Sequence, residues 1–143
     1  MMRILSLGLA FVGAALAVGA SAPALAQQPT PPPITAGPPN VKRTILQRFD
    51  VAGTNLETIV AVVEIGASVK AGRHSHPGEV VGYVMDGEFV LALDGQGEQT
   101  FKAGASLRVP SGAVHDEGTR DKPARLIATY VIEKGKPLAS PVK

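Results

Sequence analysis

From Asn40 onward, glycine and proline break the chain at short intervals. Turn signals stand at Gly53-Thr-Asn55, Gly66, Pro77-Gly78, Asp86-Gly87, Asp94-Gly-Gln-Gly97, Ala103-Gly104, Ser111-Gly112, Gly118 and Gly135. Between them lie short runs rich in Val, Ile, Leu, Thr and Phe, and no window is long enough for an amphipathic helix of more than a turn or two. That punctuation predicts an all-β domain, an antiparallel sandwich or barrel. Eight strands are expected: Thr44 to Phe49, Glu57 to Ile65, Ser68 to His76, Glu79 to Met85, Glu88 to Leu93, Gln99 to Lys102, Ser106 to Val109, and Ala124 to Ile132. Two runs, Ile59 to Val63 and Leu126 to Ile132, lack polar alternation and should be covered on both faces by a second sheet or a partner subunit; a homodimer is expected, the alternative being cover by a neighbouring loop or the leader.

What precedes this region reads differently. Arg3 is followed by an apolar and small-residue run, Ile4 to Ala20, and then by Ala24-Leu25-Ala26, the pattern of a signal peptide (residues 1–26) cleaved after Ala26. A retained signal anchor is the alternative, but no second apolar run follows. The expected location is the periplasm or the exterior, with no membrane contact after cleavage. Residues 27–41 form a proline-rich leader holding half of the chain's 12 prolines, residues 42–136 the β domain, and residues 137–143 a tail. The chain has no cysteine, so no disulfide supports it outside the cell. A formal charge of +2 without a basic cluster gives no footing for nucleic acid.

Chemistry concentrates in the three histidines. His74 and His76 are two apart, so on an extended strand both rings point to one side and Ser75 to the other. His115 follows the turn Pro110-Ser-Gly112, where a barrel strand can return opposite the first pair. Three imidazoles at one point suit zinc, copper, iron or nickel.

The two segments resemble the two motifs of the cupin family, G-x5-H-x-H-x3,4-E-x6-G and G-x5-P-x-G-x2-H-x3-N. The second matches through Gly104, Pro110, Gly112 and His115, and the first through His74, His76 and Gly87. The resemblance extends from about Lys42 to Glu133 and implies a double-stranded β-helix, or jelly roll, with a divalent metal (zinc, copper, iron, manganese or nickel) on the matched histidines. It departs in three places. Ser68 replaces the first glycine, Thr119 the last asparagine, and Val80 stands where the pattern has glutamate, with Glu79 one position early. A one-residue slip turns a strand side chain to the other face, so Glu79 ligates only if a bulge at Pro77-Gly78 re-aims it.

Without Glu79, a divalent ion on neutral imidazoles keeps its charge and favours a small anionic, chelating ligand. The family likeness implies a metal-dependent enzyme, dioxygenase- or isomerase-like, with Glu79 or Asp116 handling protons. The alternative is a non-catalytic periplasmic cupin that binds metal or a small ligand. Asp116 and Glu117 read as solvated turn residues, since at most one of two neighbours faces inward. Export as an unfolded chain would load the metal outside the cytoplasm, which favours zinc or copper.

Overall fold

The computed structural model describes residues 40–143; the expected signal peptide and most of the leader lie outside the described residues. Nine strands follow in order: β1 (Val41–Asp50), β2 (Leu56–Ile65), β3 (His74–Ser75), β4 (Gly78–Leu93), β5 (Gly97–Lys102), β6 (Ser106–Val109), β7 (His115–Gly118), β8 (Ala124–Glu133) and β9 (Ser140–Pro141). They form one curled antiparallel sheet in the order β1-β2-β8-β4-β7-β3-β9, with β5 and β6 also paired to β4. The all-β jelly-roll expectation holds.

The curl comes from β4. Asp86-Gly87, expected as a hairpin turn, instead lies inside one 16-residue strand. The first half of β4 pairs with β8 and β6, the second half with β5 and β7, and the register slips between Val84 and Asp86. Such a bulge bends a strand and increases its twist. Gly87 makes the bend passable: its φ is +77°, and a Cβ there would lie 2.0 Å from the Pro123 carbonyl oxygen. The signal was real, but a left-handed glycine serves a bulge as well as a turn.

Alternation on β2, β8 and β4 sends one set of side chains inward. Register stacks them in rows: Ile59, Tyr130 and Val80; then Ala61, Ala128 and Gly82; then Val63, Leu126 and Val84. These inward residues are buried and form the core with Phe89, Leu91, Leu107 and Val109. The middle row consists of the smallest side chains, and Leu107 packs against Gly82 at that level. The outward rows, Val60-Thr129-Val81 and Val62-Ile127-Tyr83, are apolar too. Val81 and Tyr83 are about half exposed, so among the described residues nothing covers this face, although the sequence asks for cover there.

Both loop departures from the family pattern have local explanations. The expected strand from Ser68 shrinks to His74–Ser75 because Ser68 turns the chain with φ +58°, a conformation that glycine adopts freely and serine does not. The Thr119 hydroxyl donates to the Gly66 carbonyl and accepts from the Val69 amide, pinning the same turn. Ser68→Gly should therefore raise stability by about 0.5–1 kcal/mol, the left-handed strain outweighing the added chain entropy. A urea midpoint lower than that of the wild type would contradict this account.

Candidate metal centre

His74 and His115 face each other across the ladder of β3 and β7 as a direct register pair. Side chains so paired stand on the same face within contact distance, and the two ring centroids are 4.2 Å apart. His76, two residues on, joins from the same side, 5.0 Å and 5.1 Å from the other two rings. One nitrogen of each ring lies within 4.8 Å of the others, so the three can hold one metal ion. All three are buried, His115 completely. The expected convergence of three imidazoles is thus present.

Backbone carbonyls set which nitrogen faces the centre. His74 Nδ1 donates to Gly72 O at 2.7 Å, His76 Nδ1 to Leu138 O at 2.6 Å, and His115 Nδ1 to Ala113 O at 3.0 Å. A proton on Nδ1 leaves the Nε2 lone pair free, the tautomer a metal requires. Nε2 of His74 and of His115 are buried without a hydrogen-bond partner. Buried polar atoms are nearly always satisfied, so two such atoms aimed at one point fit an ion between them.

Leu138 belongs to the segment read from sequence as a tail. That segment is bound into the sheet: β9 pairs with β3, and the Val142 amide donates to Arg73 O. It lies beside the histidines and orients one of them. No side chain announced this, because the acting group is a backbone carbonyl.

The expected proton carriers lie elsewhere. Glu79 is on the outer face of β4, in register with Val131, and no bulge occurs at Pro77-Gly78 to turn it inward. A Cβ on Gly78 would fall 2.0 Å from Val131 O, so the strands are in close contact at that point. The Glu79 carboxylate is 41% exposed, takes Arg108 Nε at 2.8 Å and the Ser111 amide at 3.2 Å, and stands outside the cluster. Asp116 also faces away and accepts from the Gly72 amide at 2.9 Å. Val80, in the glutamate position of the family pattern, points inward and is buried.

Glu117, read as a solvated turn residue, is inside. It lies two positions after His115 on β7 and shares its face. Its side chain is 12% exposed, with Oε2 4.0 Å from His115 Nε2 and Oε1 3.4 Å from Arg43 Nη2. Arg43 reaches this point from β1, where it pairs with Val63. Burial works against the Arg43 charge, but Tyr130 and Glu117 outweigh it and hold the guanidinium ionised. Burial also pushes the Tyr130 phenol upward. The parity that joins His74 to His76 also joins His115 to Glu117; Arg43 had no signal in sequence, since only strand register brings it here.

The chamber among His76, Val80, Phe89, Val109, Glu117 and Tyr130 measures about 20 Å3. That is room for an ion or a water molecule and little more. A larger groove of about 250 Å3 runs along β7, lined by Lys70, Val90, Ala92, Asp116 and Glu117. It does not open on the histidines, whose burial marks the chemistry better than groove volume does.

A family model described as a cupin domain matches residues 60–130. The chain belongs to the cupin family. Among solved structures, this cupin is similar to the polyketide cyclase RemF from Streptomyces resistomycificus (TM-score 0.61, 21% identity, 78% of each chain covered). It is also similar to the DMSP lyase DddQ from Ruegeria pomeroyi DSS-3 (TM-score 0.60, 19% identity, 72% of this chain), and to a cupin-like protein from Thermotoga maritima MSB8 (TM-score 0.59, 22% identity, 71% and 75% covered). The chain spans only 52% of the DddQ chain. At such identities the likeness establishes the fold. No curated protein matches the sequence significantly.

Two expectations follow for this cupin. Burial pushes the His76 imidazole from 6.5 down to about 4, only partly opposed by the Leu138 carbonyl, and His115 moves in the same direction for the same reason. The unfolded chain then takes up protons below pH 6.5 that the folded chain refuses until about pH 4, so metal-free stability should fall across that window. His76 alone should contribute roughly 1.4 kcal/mol per pH unit, and a urea midpoint unchanged from pH 7 to pH 5 would refute this. Deleting residues 137–143 removes the carbonyl that orients His76 and should weaken metal binding by about 10- to 100-fold, as loss of an outer-shell partner does, measured by competition with a chromophoric chelator.

Proposed function

We propose that this cupin is exported and holds a divalent metal ion on Nε2 of His74, His76 and His115, where a small anionic, chelating organic molecule is turned over in a dioxygenase- or isomerase-like reaction. The observation that carries the reading is the pair of buried, unpartnered Nε2 atoms within a three-imidazole cluster. When bound, the ion would supply Lewis acidity and a template for a chelating substrate. The chain's own contribution is to hold three imidazole donors, to line the site with Val80, Phe89, Val109 and Tyr130 so that little bulk water enters, and to place Arg43 close by. The Arg43–Glu117 pair is neutral as a unit, so the charge of a divalent ion stays uncompensated and attracts an anion. The names of two similar structures, a DMSP lyase and a polyketide cyclase, support catalysis as something this fold accommodates.

The second reading is a periplasmic metal or small-ligand carrier without turnover. The 20 Å3 chamber favours it, because an organic substrate has no room beside the ion unless the site opens. A homodimer fits either reading: the apolar outer rows around Val81 and Tyr83 are a natural seat for a second copy.

Metal content and ligand binding test the proposal. Purified wild-type protein should carry or take up one equivalent of metal, and calorimetry should show oxalate binding to the loaded form and not to the metal-free form. His115→Ala should abolish both; an oxalate affinity unchanged in that variant would end the metal reading. Consumption of dioxygen or substrate in a panel of oxalate, pyruvate and pentane-2,4-dione would favour the enzyme, and binding without turnover the carrier.

A further inference from the structure

Val80 takes from this site the carboxylate that the family pattern places at that position, and a different strand brings one back. Val80 and Glu117 line the same chamber from two walls. Val80 offers only methyl groups there. Glu117, on β7 with His115, offers an oxygen 4.0 Å from a buried and unpartnered imidazole nitrogen.

The bland explanation is that Glu117 exists to neutralise Arg43. The molecule contains a standard for comparison. Arg48 and Glu57 meet in two parallel bonds of 2.6 and 2.7 Å, the bidentate geometry of a completed pair. Arg43 and Glu117 meet through one contact of 3.4 Å, and Arg43 Nε is left buried without a partner. A buried ion pair tends to be favourable only with good geometry and its remaining groups satisfied; this one has neither. Arg43 engages Oε1, while Oε2 lies 4.0 Å from His115 Nε2.

Donors bound to one ion at about 2.0–2.2 Å stand roughly 3–3.5 Å from their neighbours. The 4.0 Å to His115 closes with a side-chain shift of less than about 1 Å; because Glu117 stands outside the 4.8 Å group of the three histidines, the carboxylate must also swing toward His74 and His76. Asp116 and Glu79 cannot compete, being tied to Gly72 and Arg108 on outward faces.

We propose that Glu117 is a protein ligand of the metal ion together with His74, His76 and His115, the carboxylate having moved from the first histidine segment to the second. Arg43 then acts as a positioning residue that grips Oε1 and aims Oε2. The inference rests on the metal reading of the three histidines.

Co(II) is a suitable probe, since its visible absorption reports the donor set. Glu117→Gln should weaken Co(II) binding by more than the roughly 10- to 100-fold that loss of an outer-shell partner costs, and shift the absorption bands. Adding Val80→Glu in that background should return a carboxylate to the family position and regain most of the affinity. If the glutamine variant fails to fold, Glu117→Asp reads the same way, because the charge opposite Arg43 remains while the oxygen retreats by one methylene. Co(II) affinity and bands identical to wild type in a folded Glu117 variant would overturn this inference alone, provided His115→Ala still loses the metal. A wild-type protein that takes up no Co(II) would overturn it together with the metal reading.

Discussion

Three hydrogen bonds from imidazole Nδ1 to backbone carbonyls govern the rest of this structure. Each fixes a tautomer and a ring orientation at once, and each carbonyl belongs to a segment that must be in place first: the approach to β3 at Gly72, the turn before β7 at Ala113, and the chain leading to β9 at Leu138. With Nδ1 satisfied, each lone pair on Nε2 has one direction left, and the curl of β4 makes those directions converge. The ladder pairing His74 with His115 does the remaining work, as it brings together residues some forty positions apart.

The centre sits against a deliberately thin part of the wall. Ala61, Ala128 and Gly82 form one level between rows of larger side chains, and Leu107 leans over Gly82, whose absent Cβ would stand 3.1 Å from it. Leu107 thus occupies the room beside Gly82, as close packing requires, since interiors tolerate few voids larger than a water molecule. The result is a chamber scaled to an ion. Val80 adds to the apolar part of the lining, which lowers the local dielectric and strengthens charge interactions inside.

Strand parity made much of this legible. It placed His74 and His76 on one face, sent Glu79 to the other, and with the turn at Pro110-Gly112 brought His115 back toward them. The same parity applies to Glu117 and was masked by Asp116, since two acidic neighbours after a turn look like a solvated tip. Arg43 was beyond reach for another reason: an arginine on β1 meets the site only through the register of β1 on β2, a tertiary fact. Leu138 acts through its carbonyl, which every residue has. At Asp86-Gly87 the residues announced a left-handed backbone correctly, but one conformation serves a hairpin and a bulge alike, and the choice falls to what the flanking strands can pair with.

Burial, tautomer and metal affinity are aspects of one equilibrium here. A buried polar atom needs a partner, and Nε2 of His74 and of His115 find none among the protein's own groups; an ion held between them would supply one. The depressed His76 basicity acts in the same direction: the ring is already neutral at neutral pH, so no proton has to leave before a metal enters. Whatever lowers the affinity of the rings for a proton without lowering their reach toward an ion tilts the folded state toward the loaded form.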